Sequence, residues 1–114
     1  MNIIVILKVL VCVLTVATGL LAFIKPTAIY GFTGLTASGA RGISEIRAIF
    51  GGLFIALGIV PLVLGGTGYQ MLGIGYLSIA VSRLVSIFID HSSDSSNLIS
   101  LAIEIVCGLV LVLR

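Results

Sequence analysis

Long apolar stretches dominate the chain and restrict what it can fold into. The first runs over residues 2–24 and is interrupted by a single charge, Lys8. A helix rises about 1.5 Å per residue and bilayer hydrocarbon is roughly 30 Å thick, so about 20 apolar residues suffice to cross it. Of the 114 residues, 60% are hydrophobic and 9% are charged, which is too little charge to cover a soluble domain. We therefore predict an integral membrane protein.

Four such stretches fit in the chain, at residues 2–24, 46–64, 70–89 and 97–113. They predict a single all-α domain, an integral membrane four-helix bundle whose neighbouring helices are antiparallel. The first stretch has no basic residue before Lys8 and no small-residue cleavage site, so we expect a retained helix rather than a cleaved signal peptide. The expected location is the cell inner (plasma) membrane, with the lipid bilayer as the main partner.

Glycine and proline mark the predicted connections. The first helix is expected to stop before Pro26, because proline disfavours helix in the residue that precedes it. Residues 27–44 are expected to lie at the membrane surface, with a short helical turn after Pro26. Residues 65–69 predict a tight turn, and the polar residues 90–97 predict an exposed loop that supplies N-caps to the last helix. Pro61 is expected to kink or loosen the end of the second helix.

Small and polar residues at helical spacing predict which faces are packed. Ala48, Gly52 and Ala56 recur every fourth position, a pattern that lets helices approach closely in lipid, so we expect this helix to pack centrally. Two polar faces of the third helix are also predicted to be buried against protein. They comprise Ser78, Ser82 and Ser86 on one side and Tyr76 and Arg83 on the other.

Two ionisable residues lie deep in the predicted helices. A charge at the bilayer centre costs between roughly 2.5 and 17 kcal/mol, depending on how it is measured, so each such residue suggests a functional site. Arg83 and Glu104 each lie about two turns from the loop at residues 90–97, which on antiparallel helices gives them the same depth. We predict an ion pair between them. The remaining Arg83 donors are expected to meet Tyr76, Ser82, Ser100 or backbone carbonyls.

Three roles stay open for this pair: a structural clasp that fixes helix register, a site for an anionic or polar headgroup, or a proton relay through Glu104. Glu45 and Arg47 open the second helix on the same side of the membrane. Arg47 is expected either to point toward Glu104 or to extend to the headgroups, and Lys8 is expected to extend to the headgroups. The candidate intramembrane polar site comprises Arg47, Arg83, Glu104, Glu45 and Tyr76.

The residue pattern disfavours several classes of function. Basic residues are scattered singly, so we expect no nucleic-acid partner. Cys12 and Cys107 stand in apolar stretches without a neighbouring Cys or His, and His91 is alone in its loop, so we expect no metal and no other cofactor. A nucleophile, a base and an orienting group do not occur together, so we do not expect an enzyme.

The orientation of the chain in the membrane is only weakly indicated. An even number of spans puts both termini on one side, where Lys8 and Arg114 lie, and Arg114 is expected to anchor the last helix at the headgroups. Lys25, Arg41 and Arg47 lie on the other side. This difference of one basic residue favours a cytoplasmic location for the long connections.

Three segments resemble a known family: residues 44–53 (SEIRAIFGGL), residues 80–90 (AVSRLVSIFID) and residues 101–104 (LAIE). Over nearly its whole length the chain resembles the bacterial four-helix membrane family called domain of unknown function 4345, itself similar to the DoxX-like group. The resemblance implies an inner-membrane four-helix fold and supplies no reaction. The residues that it implies are Glu45, Arg47, Ala48, Gly51, Gly52, Ser82, Arg83, Leu84 and Glu104, with Phe50 where tyrosine is common.

Two functions are compatible with these features. The first is a non-catalytic accessory or scaffold module whose small-residue faces dock another membrane protein or a second copy of the chain. The second is a lipid- or small-solute-binding protein or transporter, with Arg47, Arg83 and Glu104 around an intramembrane pocket. A scaffold should tolerate Glu104→Gln, whereas a transporter should lose proton-linked flux in that variant.

Overall fold

The computed structural model describes residues 2–113, and every regular element in that range is helical, as predicted. The elements are α1 (Ile3–Ile24), a 3₁₀ turn (Pro26–Ile29), α2 (Tyr30–Thr33), α3 (Gly39–Glu45), a π-helical segment (Ile46–Leu53), α4 (Phe54–Leu64), α5 (Gly66–Asp90) and α6 (Ser95–Val112). The run from α3 through the π-helical segment to α4 is one 26-residue helix, Gly39–Leu64, hereafter the second long helix. Arg114, the predicted headgroup anchor, lies outside the described residues.

Four helices are long and apolar enough to cross a membrane: α1, the second long helix, α5 and α6. The second long helix begins at Gly39 rather than at residue 46, because α3 continues directly into the π-helical segment. The turn predicted over residues 65–69 is also shorter in the structure. Gly65 alone makes the turn, with φ 75° and ψ −138°, a conformation that residues with a side chain rarely adopt.

Pro61 lies within α4 and does not end it. The helix continues to Leu64, and the Gly65 N–H donates to the Pro61 carbonyl at 2.8 Å, so the predicted loosening of this turn is wrong. The buried proline ring packs against α5, where a Cβ on Gly68 would lie 2.7 Å from the Pro61 Cα. Proline has no N–H, so this turn of α4 lacks one backbone hydrogen bond, and the contact with α5 stabilises it.

The long helices pack in a closed order. α1 lies along the second long helix, whose α4 part contacts α5; α5 packs most extensively on α6, and α6 returns to α1. One buried cluster joins these helices through Val11, Cys12, Leu72 and Leu111. A second cluster of Ala22, Ile29 and Ile46 lies where the 3₁₀ turn after Pro26 folds back on α1 and the second long helix.

Glycines set the closest approaches between helices. A Cβ on Gly19 of α1 would lie 2.8 Å from the Gly51 carbonyl oxygen, and a Cβ on Gly58 would lie 2.7 Å from the Cys12 carbonyl oxygen. Between α5 and α6, a Cβ on Gly73 would lie 3.0 Å from the carbonyl oxygen of Gly108. The backbones therefore touch where side chains would not fit, as is common between helices in lipid.

The second long helix packs on α1 and, through α4, on α5, but it does not use the face of Ala48, Gly52 and Ala56 for these contacts. All three residues are exposed, and the nearest atom to a Cβ on Gly52 would be the Arg47 carbonyl oxygen at 3.8 Å. The second long helix instead turns Gly51 and Gly58 toward α1. Because the intervening backbone is π-helical, the rotation of each side chain about the axis departs from α-helical spacing.

The serine face of α5 is likewise mostly exposed rather than buried. Ser78 and Ser82 lie on the outside, and Ser86 is half-buried. The Ser78 hydroxyl donates to the Ile74 carbonyl of its own helix at 2.8 Å, and the Ser86 hydroxyl donates to an Asp90 carboxylate oxygen at 2.6 Å. These hydroxyls are satisfied locally and do not require a neighbouring helix.

We expect Gly58→Ala to lower the free energy of unfolding by about 1–3 kcal/mol, because the new methyl group would overlap Val16 and the Cys12 carbonyl. Gly52→Ala is the matched control. It brings the same gain in helix propensity, about 1 kcal/mol, at an exposed position. Thermal unfolding in detergent measures both variants, and equal midpoints would contradict the packing of α1 on α4.

Candidate functional site

Arg83 and Glu104 form a bidentate ion pair between α5 and α6, which confirms the predicted contact. The Arg83 Nε donates to Glu104 Oε1 at 2.8 Å, and Nη2 donates to Oε2 at 2.6 Å. Glu104 is buried, with a side chain 10% exposed, whereas the Arg83 side chain is 30% exposed. Two parallel charge-assisted bonds fix the distance and the relative orientation of the two helices at this level.

The third guanidinium bond goes to Asn97, a residue that sequence analysis treated only as part of a loop. Arg83 Nη1 donates to Asn97 Oδ1 at 2.7 Å, in place of the predicted contacts with Tyr76, Ser82 or Ser100. Asn97 precedes Glu104 by seven residues, so both side chains project from one face of α6. This seven-residue spacing was the sequence signal that could have identified Asn97 as part of the site.

The loop between α5 and α6 is tied to the same network. Because the Asn97 oxygen accepts from Arg83, its amide nitrogen is directed to Ser92, where it donates to the carbonyl at 2.8 Å and to the hydroxyl at 3.2 Å. His91 ends α5 in the left-handed region, with φ 53°, and thereby turns Ser92 toward α6. The ion pair thus orients a connection outside the apolar part of the helices.

The predicted side-chain N-cap of α6 is not formed. Asp94 occupies the N-cap position, but its carboxylate makes no capping hydrogen bond, and the helix begins at Ser95. The Leu98 N–H donates to the Asp94 carbonyl at 3.1 Å. The exposed carboxylate still lies at the positive end of the helix dipole, which is favourable.

Tyr76 binds α1 instead of Arg83. Its hydroxyl lies 2.6 Å from Thr15 Oγ1, and Thr15 itself donates to the Val11 carbonyl at 2.8 Å. Since a threonine hydroxyl has one proton, Tyr76 is the donor in the contact between helices. Thr15 is 2% exposed and was missed by sequence analysis, although it follows Lys8 by seven residues on the same face of α1.

Glu45 and Arg47 do not join the ion pair. The Glu45 carboxylate accepts from Arg41 Nε at 3.2 Å, one helical turn away, and both side chains are exposed. Arg47 is exposed, and the ion pairs of the described residues do not include it. Of the five predicted site residues, the structure therefore brings together Arg83 and Glu104 only.

Contrary to the prediction, Lys8 does not extend to the headgroups. It is 8% exposed, and its ammonium donates to the Leu113 carbonyl, just after the end of α6. The same nitrogen lies 5.6 Å from the centroid of the Tyr69 ring. The last carbonyls of a helix lack partners within the helix and form the negative end of its dipole, so they and the ring face stabilise the cation inside the protein.

The polar groups of the interior are satisfied by one another. In the part of the chain that the structure describes, every buried side-chain nitrogen or oxygen has a hydrogen-bond partner. A cavity of about 40 Å³ beside Tyr76 and Thr15 is otherwise lined by apolar side chains and Gly75. Neither this cavity nor a larger groove beside Glu45 is lined by Arg83 or Glu104. Within residues 2–113, no three His, Cys, Asp or Glu side chains are grouped to hold a metal ion.

We expect Arg83→Met or Glu104→Leu to destabilise the chain by about 3 kcal/mol, the lower end of the range for buried pairs, because each leaves a charge without its partner. The double variant Arg83→Met, Glu104→Leu should cost much less than the sum of the single changes. Denaturation in detergent gives the coupling energy. Strict additivity of the two single effects would rule out a direct pair.

Asn97→Asp should keep the contact with Arg83 but remove both donors to Ser92. We expect faster amide hydrogen exchange at residues 91–94 with little change in overall stability, whereas Asn97→Leu should also weaken the ion pair and lower stability. Hydrogen-exchange mass spectrometry compares the two variants. Unchanged exchange of the loop in Asn97→Asp would contradict the link between the loop and the pair.

Comparison with known proteins places the chain in a family. The model of the Domain of unknown function (DUF4345) matches residues 3–114, almost the full length, which agrees with the resemblance carried by Glu45, Arg83 and Glu104. No curated protein and no solved structure matches the chain significantly. The chain belongs to the DUF4345 family.

Proposed function

We propose that this protein is a non-catalytic module of the inner (plasma) membrane, embedded as an antiparallel four-helix bundle, that serves as an accessory or scaffold subunit. Embedding is supported by the four long apolar helices and by the exposure of large apolar side chains such as Val63, at 77%, and Phe88, at 73%. Exposed apolar area of this extent is unfavourable in water and normal in lipid. Membership of the DoxX-like group, which the sequence resemblance implies, would favour the same location.

The polar contacts at the two ends of the helices support the antiparallel arrangement. Lys8, near the start of α1, meets Leu113, just after the end of α6. Arg83, near the end of α5, meets Asn97 at the start of α6 and Glu104 near its middle. Both contacts are the ones expected if the helices they join run in opposite directions.

The observation that carries the non-catalytic role is that each guanidinium nitrogen of Arg83 and both carboxylate oxygens of Glu104 already have a partner. The carboxylate of Glu104 accepts two bonds from Arg83, and Asn97 takes a third. A group that must exchange protons or bind substrate needs capacity that is free in the resting state. A closed set of bonds instead fits the clasp that holds α5 and α6 in register.

The outward face of Ala48, Gly52 and Ala56 supports a docking role. All three residues are exposed in the described part of the chain, so the face is available to a transmembrane helix of a partner protein or of a second copy. Small residues at this spacing let two backbones approach closely in lipid. Because Gly51 and Gly58 already hold α1, the second long helix can contact two neighbours at once.

The test is purification in native-lipid particles, followed by mass spectrometry of bound protein and lipid. The protein partner should be lost from Gly52→Leu, but retained by the control Val63→Leu on the same helix and by Glu104→Gln. A partner that Gly52→Leu still retains would contradict the docking face. Failure of the chain to enter the particles would contradict membrane embedding.

A second candidate is a binding site for a polar solute or headgroup at Arg83. The observation that favours it is the 30% exposure of the Arg83 side chain, whose guanidinium uses three of its five N–H donors. α5 packs on α4 but not extensively on the π-helical segment, so the helices diverge toward this level. Loss of a defined small molecule from Arg83→Ala, or of proton-linked flux from Glu104→Gln, would support this candidate over the scaffold.

A further inference from the structure

A groove lies beside the start of the second long helix, away from the Arg83 site. Its volume is about 320 Å³, at the lower end of the range for small-molecule sites. The apolar floor includes Leu35, Ile46, Ile49 and Phe50, and Ser38 and Glu45 lie among the polar lining residues. It is therefore an amphipathic groove whose volume can hold part of an alkyl chain.

A negative charge lines the groove, and a positive charge contacts it from one helical turn away. Glu45 lines the groove, and its Oε1 accepts from Arg41 Nε at 3.2 Å. Only Nε of Arg41 is used in this contact, which leaves both terminal nitrogens for another acceptor. Since the two side chains are 88% and 58% exposed, a ligand can reach both without separating them.

The position of the groove along the helix matches the level of lipid headgroups, if the chain is embedded as proposed above. α1 ends at Ile24 and the second long helix begins at Gly39, so Arg41 lies within the first turn of a span. Tyr30 and Phe32, in the connection between them, are 57% and 44% exposed. Exposed aromatic side chains are typical of the boundary between headgroups and acyl chains.

We propose that this groove binds a phospholipid whose zwitterionic headgroup ends in a primary ammonium, that is, an ethanolamine phospholipid. The phosphate binds the free terminal nitrogens of Arg41, the ammonium binds the Glu45 carboxylate, and one acyl chain lies on Ile46, Ile49 and Phe50. The inference rests on the membrane embedding of the proposed function.

The charge pattern distinguishes this lipid from other headgroups. A glycerol phospholipid brings the same phosphate but no cation, so Glu45 would face an anionic ligand without compensation. A choline headgroup has a cation but no N–H, so it cannot donate to the carboxylate. An ethanolamine headgroup alone among the three satisfies both residues.

The experiment is native mass spectrometry of the protein released from nanodiscs that contain equal amounts of ethanolamine, choline and glycerol phospholipids with identical acyl chains. We expect the ethanolamine lipid to be enriched among bound lipids by about fivefold, the effect of roughly 1 kcal/mol. Equal retention of the three lipids, or enrichment of the glycerol lipid, would overturn the assignment. A protein that enters no nanodisc of any composition would instead count against the embedding itself.

Single substitutions separate the contributions of the individual side chains to lipid binding. Glu45→Gln should abolish the preference for ethanolamine over choline while lipid still binds, and Arg41→Gln should reduce binding of both. Ile49→Trp should fill the groove and reduce all binding. Arg47→Gln removes an exposed charge from the same helix outside the groove and should keep the enrichment; an equal loss in Arg47→Gln and Arg41→Gln would show a general charge effect and refute the site.

Discussion

The ion pair of Arg83 and Glu104 is the constraint on which the rest of the polar structure depends. Removing either charge from water is costly, and the cost is offset only when the geometry is good and the remaining donors are satisfied. The bidentate contact provides the geometry, and with the Asn97 bond every guanidinium nitrogen of Arg83 has a partner. Through Asn97 the same contact fixes Ser92 and so the end of α5, which makes the hairpin of α5 and α6 a single polar unit.

At the opposite end of the molecule, a buried charge is stabilised in a different way. Lys8 has no carboxylate partner among the described residues, yet it is buried between the C-terminal carbonyl of Leu113 and the ring of Tyr69. Between these two polar ends, α1 and α5 are linked by the Tyr76 and Thr15 hydroxyls. Close glycine contacts provide the remaining fit, so the polar groups specify register while small residues permit proximity.

The sequence predicted features that depend on length and depth, and it failed for those that depend on rotation about a helix axis. The four long helices of the described residues followed from apolar length, and the pairing of Arg83 with Glu104 followed from their equal distance to one loop. The outward direction of Ala48, Gly52 and Ala56 did not follow, because apolar residues surround the whole helix and its π-helical segment departs from the usual spacing. The partner of Lys8 also could not be predicted, because every residue has a backbone carbonyl and the sequence does not show which one accepts the bond.

The most direct test of this account is solid-state NMR of the protein in lipid bilayers, measuring dipolar coupling between ¹⁵N in arginine guanidinium groups and ¹³C in glutamate carboxyl groups. The chain has two glutamates, so a Glu45→Gln background leaves Glu104 as the sole labelled carboxyl. The account predicts strong coupling, because the structure gives N–O distances of 2.6 and 2.8 Å to Arg83, and its loss in Arg83→Lys. An absence of coupling in the Glu45→Gln protein would contradict the clasp between α5 and α6.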